Sequence, residues 1–213
     1  MINKKFLLMM IALQIFFTSI TQAQEIIDKP LPLTENRIKL TREYSMKHYG
    51  FSQTEIIPQA VVIHWTAGAT WESAYKIFYD DMNDDGEVNV SSQFIVDRDG
   101  TIYRLTPENF MCRHAIGYNH CAIGIENVGG VGGVEDLTDA QLSANIFLIN
   151  YLREKFPTIK YIFGHYQQVT ARESNLYIEK VPNYYSIKPD PGKIFMGKLR
   201  DEFEDSDLIF FAL

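Results

Sequence analysis

The sequence has 213 residues, of which 46% are hydrophobic and 22% are charged, and its formal net charge is −7. This is the composition of a globular protein that is long enough to bury a sizeable core in one domain. The acidic balance argues against a nucleic-acid partner, because such a partner requires a basic surface. Beyond the N-terminus, no stretch of the sequence is apolar enough to cross a bilayer.

Residues 1–23 have the three parts of a secretory signal peptide. Lys4 and Lys5 provide a basic start, the run "FLLMMIALQIFF" is apolar but too short to span a membrane, and "TQA" supplies small residues at its end. We therefore expect an exported protein, either periplasmic or secreted. After removal of the signal peptide we expect a monomer without a membrane anchor.

Residues 24–57 are mixed and polar, and they contain one predicted helix. Thr34 is a good N-cap for this helix, and Gly50 stands where it would end. The run "AVVIHW", from Ala60, follows as a strand whose apolar residues are continuous rather than alternating, which is typical of a sheet covered on both faces. A second helix is predicted to begin behind Thr70 as its N-cap.

The remaining elements alternate between strands and helices. "SSQFIVDRDGTIYRLT" predicts a hairpin around an Asp-Gly pair, and "CAIGIEN" predicts a further strand. Thr138 and Gln141 form a capping box for a long helix that Pro157 stops. "IKYIFGH" is another buried strand and ends, like "AVVIHW", at a histidine.

This order of elements predicts an α/β fold: a single domain with a central mixed β-sheet flanked by helices. We assign the domain to residues 58–199 and treat residues 24–57 as an N-terminal extension. Residues 200–213 are acidic and then apolar, and the sequence assigns no structure to this C-terminal tail.

His64 and His165 lie at the exits of two buried strands, where ligands of α/β proteins bind. Asp190 stands between two prolines in "KPDPG". Two imidazoles and one carboxylate are a typical catalytic zinc set, which leaves a fourth position for water. Spacing alone does not prove this set, since the three residues are far apart in the sequence and no short zinc signature such as H-E-x-x-H is present.

The motifs "VVIHWTAG", "SSQFIVDRDGTIYRL", "RHAIGYNHCAIGIEN" and "GH…KPDPG" occur in this order between residues 58 and 195. In this respect the chain resembles the zinc-dependent N-acetylmuramoyl-L-alanine amidases, whose fold is shared with phage amidase-type lysozymes and peptidoglycan recognition proteins. The resemblance implies one zinc ion bound by His64, His165 and Asp190. It also implies hydrolysis of the peptidoglycan amide between N-acetylmuramic acid and the L-alanine of the stem peptide.

The resemblance implies further roles around the metal. Glu126 matches a glutamate that activates the attacking water, and Lys188 matches a lysine that faces the developing oxyanion. His114 matches a histidine that lines the substrate groove, and we predict that Asn119 in the same segment also binds substrate. The alternative function is a non-catalytic module of the same fold that binds peptidoglycan or muropeptides. A secreted interaction protein with a structural zinc would need a fourth protein ligand.

The chain departs from the family pattern in three places. Ser92 occupies a position where some members have a tyrosine beside the metal, and Gln93 occupies one where a histidine is common. The segment 166–187 is longer than expected and is either an extra loop over the groove or an inert insertion. If it disturbs the register, Glu173 or Glu179 is an alternative third ligand.

Cys112 and Cys121 flank the segment "RHAIGYNH". In an exported protein, two cysteines at this separation predict a disulfide that closes a short loop. One alternative is a cysteine nucleophile paired with His114 or His120, although no thiol-peptidase signature is present. A second metal site built from these two cysteines and two histidines is the other alternative.

Overall fold

The computed structural model describes residues 24–212, so the predicted signal peptide lies outside the described residues. Within this range the strands are β1 (Ile26–Asp28), β2 (Ala60–Trp65), β3 (Phe94–Val96), β4 (Ile102–Arg104), β5 (Ala122–Asn127), β6 (Tyr161–Gly164) and β7 (Ile209–Phe210). The helices are α1 (Glu35–Tyr49), α2 (Trp71–Tyr79), α3 (Asp139–Lys155) and α4 (Lys193–Glu202).

The strands form one sheet in the order β1-β4-β3-β5-β2-β6-β7. β3 and β4 are antiparallel, whereas the other neighbouring strands are parallel. The prediction of a single α/β domain with a mixed sheet is therefore confirmed. The two edge strands were not predicted: β1 comes from the extension and pairs with β4, and β7 comes from the tail and pairs with β6.

The predicted helix ends are also confirmed. Thr34 accepts a hydrogen bond from a backbone N–H of α1, and Gly50 ends that helix with a φ of 83°. Thr70 caps α2 in the same way, and Thr138 forms the predicted capping box with Gln141 at the start of α3. These caps satisfy backbone groups that a helix end leaves without partners, and they fix where each helix starts or stops.

β2 lies in the middle of the sheet, between β5 and β6, and all six of its residues are buried. Its side chains alternate between the two faces. Val61 and Ile63 pack in a core with buried residues of α3 and α4. Ala60 and Val62 point to the opposite face, where they pack in a second core with Tyr118. By this alternation His64 also lies on the opposite face, at the carboxyl end of the strand.

Candidate metal centre and substrate cleft

His64, His165 and Asp190 converge on one point beyond the carboxyl ends of β2 and β6, and all three are buried. The Nδ1 atoms of the two histidines are 2.9 Å apart. Oδ2 of Asp190 is 3.3 Å from Nδ1 of His64 and 3.1 Å from Nδ1 of His165. A tetrahedral zinc site with bonds of about 2.0–2.1 Å places its ligand atoms roughly 3.3 Å apart, so the three atoms fit such a site.

Neighbouring backbone holds the segment of Asp190 against the end of β6. The backbone N–H of Tyr166 donates to the carbonyl of Asp190 over 2.8 Å. Gly164, the last residue of β6, lets this segment approach closely, because a Cβ atom there would lie 2.7 Å from the ring of Pro191. A glycine at the strand end therefore brings the carboxylate within reach of both imidazoles.

A chain of hydrogen bonds fixes the tautomer of His64. The carbonyl of Ala122 can only accept, so Nε2 of His114, 3.2 Å away, is the donor. Nδ1 of the neutral His114 ring is then an acceptor, and it receives a hydrogen bond from Nε2 of His64 over 3.1 Å. Nδ1 of His64 is consequently unprotonated, which is the form that a metal ligand requires.

The charge states agree with this tautomer. Burial, together with the neighbouring His165, lowers the pKa of His64 to about 4. Burial and the proximity of His64 also hold the pKa of His114 well below its ordinary value. Burial would raise the pKa of Asp190, but the proximity of His165 and His64 outweighs it and keeps this pKa below its ordinary value. The lone pair of the neutral His64 ring and the carboxylate of Asp190 thus meet in a buried place, which favours a cation.

Glu126 stands beside His64 on the same face of the sheet, because β2 and β5 are parallel and pair these two residues. Burial and the negative charge of Asp190 raise the pKa of Glu126 well above its ordinary value, and the charge of Lys188 opposes this rise. Among the described residues, the buried Oε2 atom of Glu126 has no hydrogen-bond partner. An unpaired carboxylate oxygen next to the metal ligands is available to a water or a substrate.

A cleft of about 200 Å³ opens beside the three candidate ligands. His165, His114 and the exposed Lys188 lie at its metal end, and α1 and the segment 166–187 contribute the opposite wall. The structure therefore places Lys188 on the cleft, and its charge acts on the carboxyl group of Glu126.

His114 and Asn119 both line this cleft, but the protein already uses their polar atoms. Oδ1 of the buried Asn119 accepts hydrogen bonds from the backbone N–H groups of His114 and Ala115, and its Nδ2 donates to the hydroxyl of Tyr44. The ring of His114 rests on Gly124, where a Cβ atom would lie only 2.9 Å from it. A glycine inside a predicted strand is a signal for such a close approach.

Two of the three departures from the family pattern, Ser92 and Gln93, have structural roles here. Ser92 is fully buried, and its hydroxyl donates to the carbonyl of Phe94. Gln93 is also fully buried and joins two elements: its Nε2 donates to the carbonyl of Phe110, and its Oε1 accepts from the backbone N–H of Gly124. Gln93 thus supports the part of β5 on which His114 rests.

The alternative third ligands are bonded elsewhere or exposed. Glu179 forms hydrogen bonds with His48 instead, and Glu173 is exposed. Within residues 24–212, the group with suitable ligand geometry consists of His64, His165 and Asp190.

The predicted disulfide is wrong: Cys112 and Cys121 are both buried free thiols. Sγ of Cys112 lies 3.4 Å from Oγ1 of Thr106, whereas Cys121 packs in the core around Tyr118. The loop between them is organised by the amide of Asn119 rather than by a covalent bridge. Burial raises the pKa of Cys112 and raises that of Cys121 to about 12, which argues against a thiolate nucleophile.

A buried chain of amides reaches His64 from the other face of the sheet, and no sequence pattern predicts it. Gln141 of α3 donates to the carbonyls of Val96, the last residue of β3, and Val128, which follows β5. Asn145, one turn later, donates to Oδ1 of Asn127, and Asn127 donates to the carbonyl of His64. Each contact joins residues of different elements, so a one-dimensional pattern does not contain it.

The sequence model of the N-acetylmuramoyl-L-alanine amidases matches residues 53–193, about two thirds of the chain. This range includes all three candidate ligands as well as Glu126 and Lys188. The chain belongs to this amidase family. The resemblance of its motifs is thereby confirmed.

Solved structures with the fold of this amidase-family chain include both an amidase and peptidoglycan recognition proteins. The N-acetylmuramoyl-L-alanine amidase LysC from Clostridium intestinale URNW superposes with a TM-score of 0.54 at 21% identity, covering 84% of this chain and 97% of that chain. Bumblebee PGRP-SA superposes with a TM-score of 0.53 at 20% identity, over 89% and 98%. Human PGRP-IBETAC, solved in complex with glycosamyl muramyl pentapeptide, gives 0.50 at 20% identity, over 70% and 88%.

Comparison of the amidase-family sequence with curated proteins finds no match. Among the described residues, no helix has both the length and the apolar character that crossing a membrane requires.

Proposed function

We propose that this chain is an exported zinc-dependent N-acetylmuramoyl-L-alanine amidase. It would hydrolyse the amide between N-acetylmuramic acid and the L-alanine that begins the peptidoglycan stem peptide. The observation that carries the proposal is the convergence of His64, His165 and Asp190, with the unpaired carboxylate of Glu126 beside them. Family membership supports the same reaction.

His64, His165 and Asp190 would hold the single zinc ion, and His165 also lines the cleft. A bound zinc ion would polarise the scissile carbonyl and lower the pKa of a water molecule. The carboxylate of Glu126 would take a proton from the attacking water and pass it to the departing amide nitrogen. A new C–O bond then forms, the C–N bond breaks, and the products are a lactyl carboxylate and a free L-alanine amine.

Lys188 would stabilise the negative charge that develops on the carbonyl oxygen, because its ammonium group is exposed on the cleft close to the reacting groups. One well-placed donor of this kind lowers the barrier by about 3–4 kcal/mol. Asn119 would act by shaping the loop of His114 rather than by binding substrate, since its amide already serves backbone and Tyr44.

The reaction is tested by mass spectrometry of the products that the protein without residues 1–23 releases from purified sacculi. We expect stem peptides with a free N-terminal L-alanine, lost with a chelator and restored by Zn²⁺. Retention of the protein on sacculi without any release would favour the binding module. Release of products cut at another bond would contradict the proposal.

The role of Glu126 is tested with Glu126→Gln, which preserves shape but removes the proton acceptor. We expect unchanged zinc content and a loss of turnover of about 10²–10⁴-fold, the usual contribution of a general base. Metal analysis and the same product assay check both expectations. Activity near the wild-type level would remove Glu126 from the mechanism.

A further inference from the structure

The insertion 166–187 begins directly after the candidate ligand His165, and its first half is docked on the loop that carries His114. Its buried residues Ala171 and Leu176 join the core around Tyr118. The hydroxyl of Tyr118 donates to the carbonyl of Gln168 over 2.9 Å, and the backbone N–H of Ile178 donates to Gly117. The insertion is therefore a packed part of the domain.

The second half of the insertion is attached to the end of α1 by a buried pair. Nδ1 of His48 lies 2.9 and 3.0 Å from the two carboxylate oxygens of Glu179. The side chains are 0% and 3% exposed. The backbone N–H of Lys180 donates to the carbonyl of His48, and the Lys180 side chain crosses Gly50, where a Cβ atom would collide with it. A pair so deeply buried, and outside the metal centre, requires a role of its own.

The pair also fixes an aromatic and cationic wall of the cleft. The ring of His48 is stacked on Tyr44 at 4.1 Å and touches Tyr184 at 4.5 Å between ring centroids. Tyr184 in turn accepts a hydrogen bond from Arg113 over 2.9 Å, and the guanidinium lies over Tyr44. Tyr44, Tyr184 and Arg113 line the same cleft as His165 and Lys188.

We propose that the insertion 166–187 is a fixed wall of the substrate cleft and that His48 and Glu179 are positioning residues for it. By holding Tyr184 against Arg113, the pair sets the affinity for substrate and leaves the metal chemistry unchanged. The inference rests on the proposed function, since it assigns the cleft to the substrate of that reaction. It gives the N-terminal helix, which begins before the family match, a part in substrate binding.

The test compares Glu179→Gln with Glu173→Gln, an exposed glutamate of the same insertion. With a defined muropeptide, we expect Glu179→Gln to raise KM at least about fivefold with kcat and zinc content unchanged, because only uniform binding is lost. Glu173→Gln should leave both constants unchanged. His48→Asn should act like Glu179→Gln, and the double variant should be no worse than either single variant, since both remove one interaction.

The inference would be overturned by wild-type kinetics in Glu179→Gln or by a loss of kcat as large as the rise in KM. Additive effects of His48→Asn and Glu179→Gln in the double variant would also overturn it. If Glu179→Gln does not fold, Tyr184→Phe tests the same wall, because it removes the hydroxyl that Arg113 binds; an unchanged KM there would contradict the inference. If the wild-type protein releases no product, the proposed reaction fails. The inference is then tested by the dissociation constant of the muropeptide and by the hydrogen-exchange rates of residues 177–186. If both are the same in Glu179→Gln as in the wild type, the inference is wrong.

Discussion

His64 is held from both sides by its neighbours, and this explains how a strand end presents one nitrogen in a defined state. Its Nε2 donates to His114, and its backbone carbonyl accepts from Asn127. Its Nδ1 is left for the cluster with His165 and Asp190. Partners behind a ligand orient it and raise its basicity, so they influence metal affinity as well.

Replacing His114 therefore affects the metal before it affects the substrate. For His114→Ala we expect zinc affinity to fall about 10- to 100-fold, because Nε2 of His64 loses its acceptor and the ring loses its fixed tautomer. Competition titration with a zinc-binding dye measures this change. His120→Ala, in the same segment but bonded to the carbonyl of Leu176, is the control and should bind zinc like the wild type. Equal zinc affinities in the two variants would show that the hydrogen bond from His64 to His114 does not support metal binding.

Lys188 gives a prediction about pH. Its charge lowers the pKa of Glu126, which burial and Asp190 raise. Glu126 accepts a proton only when ionised, so activity falls as the pH drops through this pKa. Lys188→Met removes the lowering charge and should move the acid limb of kcat/KM to higher pH, whereas Lys188→Arg should leave it in place. An acid limb at the same pH in Lys188→Met would show that the limb does not report Glu126.

Among the elements, the helices and central strands follow from local signals, whereas the edge strands do not. Caps at Thr34, Thr70 and Thr138 act through neighbouring backbone groups, so the sequence alone predicts them. The edge strands β1 and β7 have three and two residues, and they exist because β4 and β6 offer free edges. A run so short has no periodicity that could reveal it.

The amide chain behind β2 leads to a prediction for α3. Asn145→Leu keeps the approximate size but leaves Oδ1 of Asn127 without its donor, so we expect the free energy of unfolding to fall by about 1–3 kcal/mol. Ser143→Ala, on the exposed side of the same helix, should change it by less than about 0.5 kcal/mol. Urea unfolding measures both. Equal stabilities would show that the buried amides are not coupled to the sheet.

At the scale of the whole molecule, the sequence predicts those site residues that lie at the ends of buried strands or within a family motif. His64 and His165 follow from strands that end at histidines, while Asp190 was a candidate because of its place between two prolines, and the resemblance then implied the same three ligands. Gln93, the amide chain and the His48–Glu179 pair join distant segments, so the sequence did not reveal them. The disulfide prediction failed because separation along the chain does not say which way two thiols face.

The topology of the sheet explains why the three segments that carry His64, His165 and Asp190 meet. The parallel register of β2, β5 and β6 aligns their carboxyl ends on one edge of the sheet. His64 and Glu126 lie at the ends of two of these strands, and His165 follows the third. Asp190 is then brought in by the chain that returns over Gly164.

The most direct test is anomalous diffraction at the zinc absorption edge from crystals grown with Zn²⁺. We expect one strong peak at about 2.0–2.2 Å from Nδ1 of His64, Nδ1 of His165 and a carboxylate oxygen of Asp190. Zinc bound elsewhere, with no peak between these three side chains, would contradict the account.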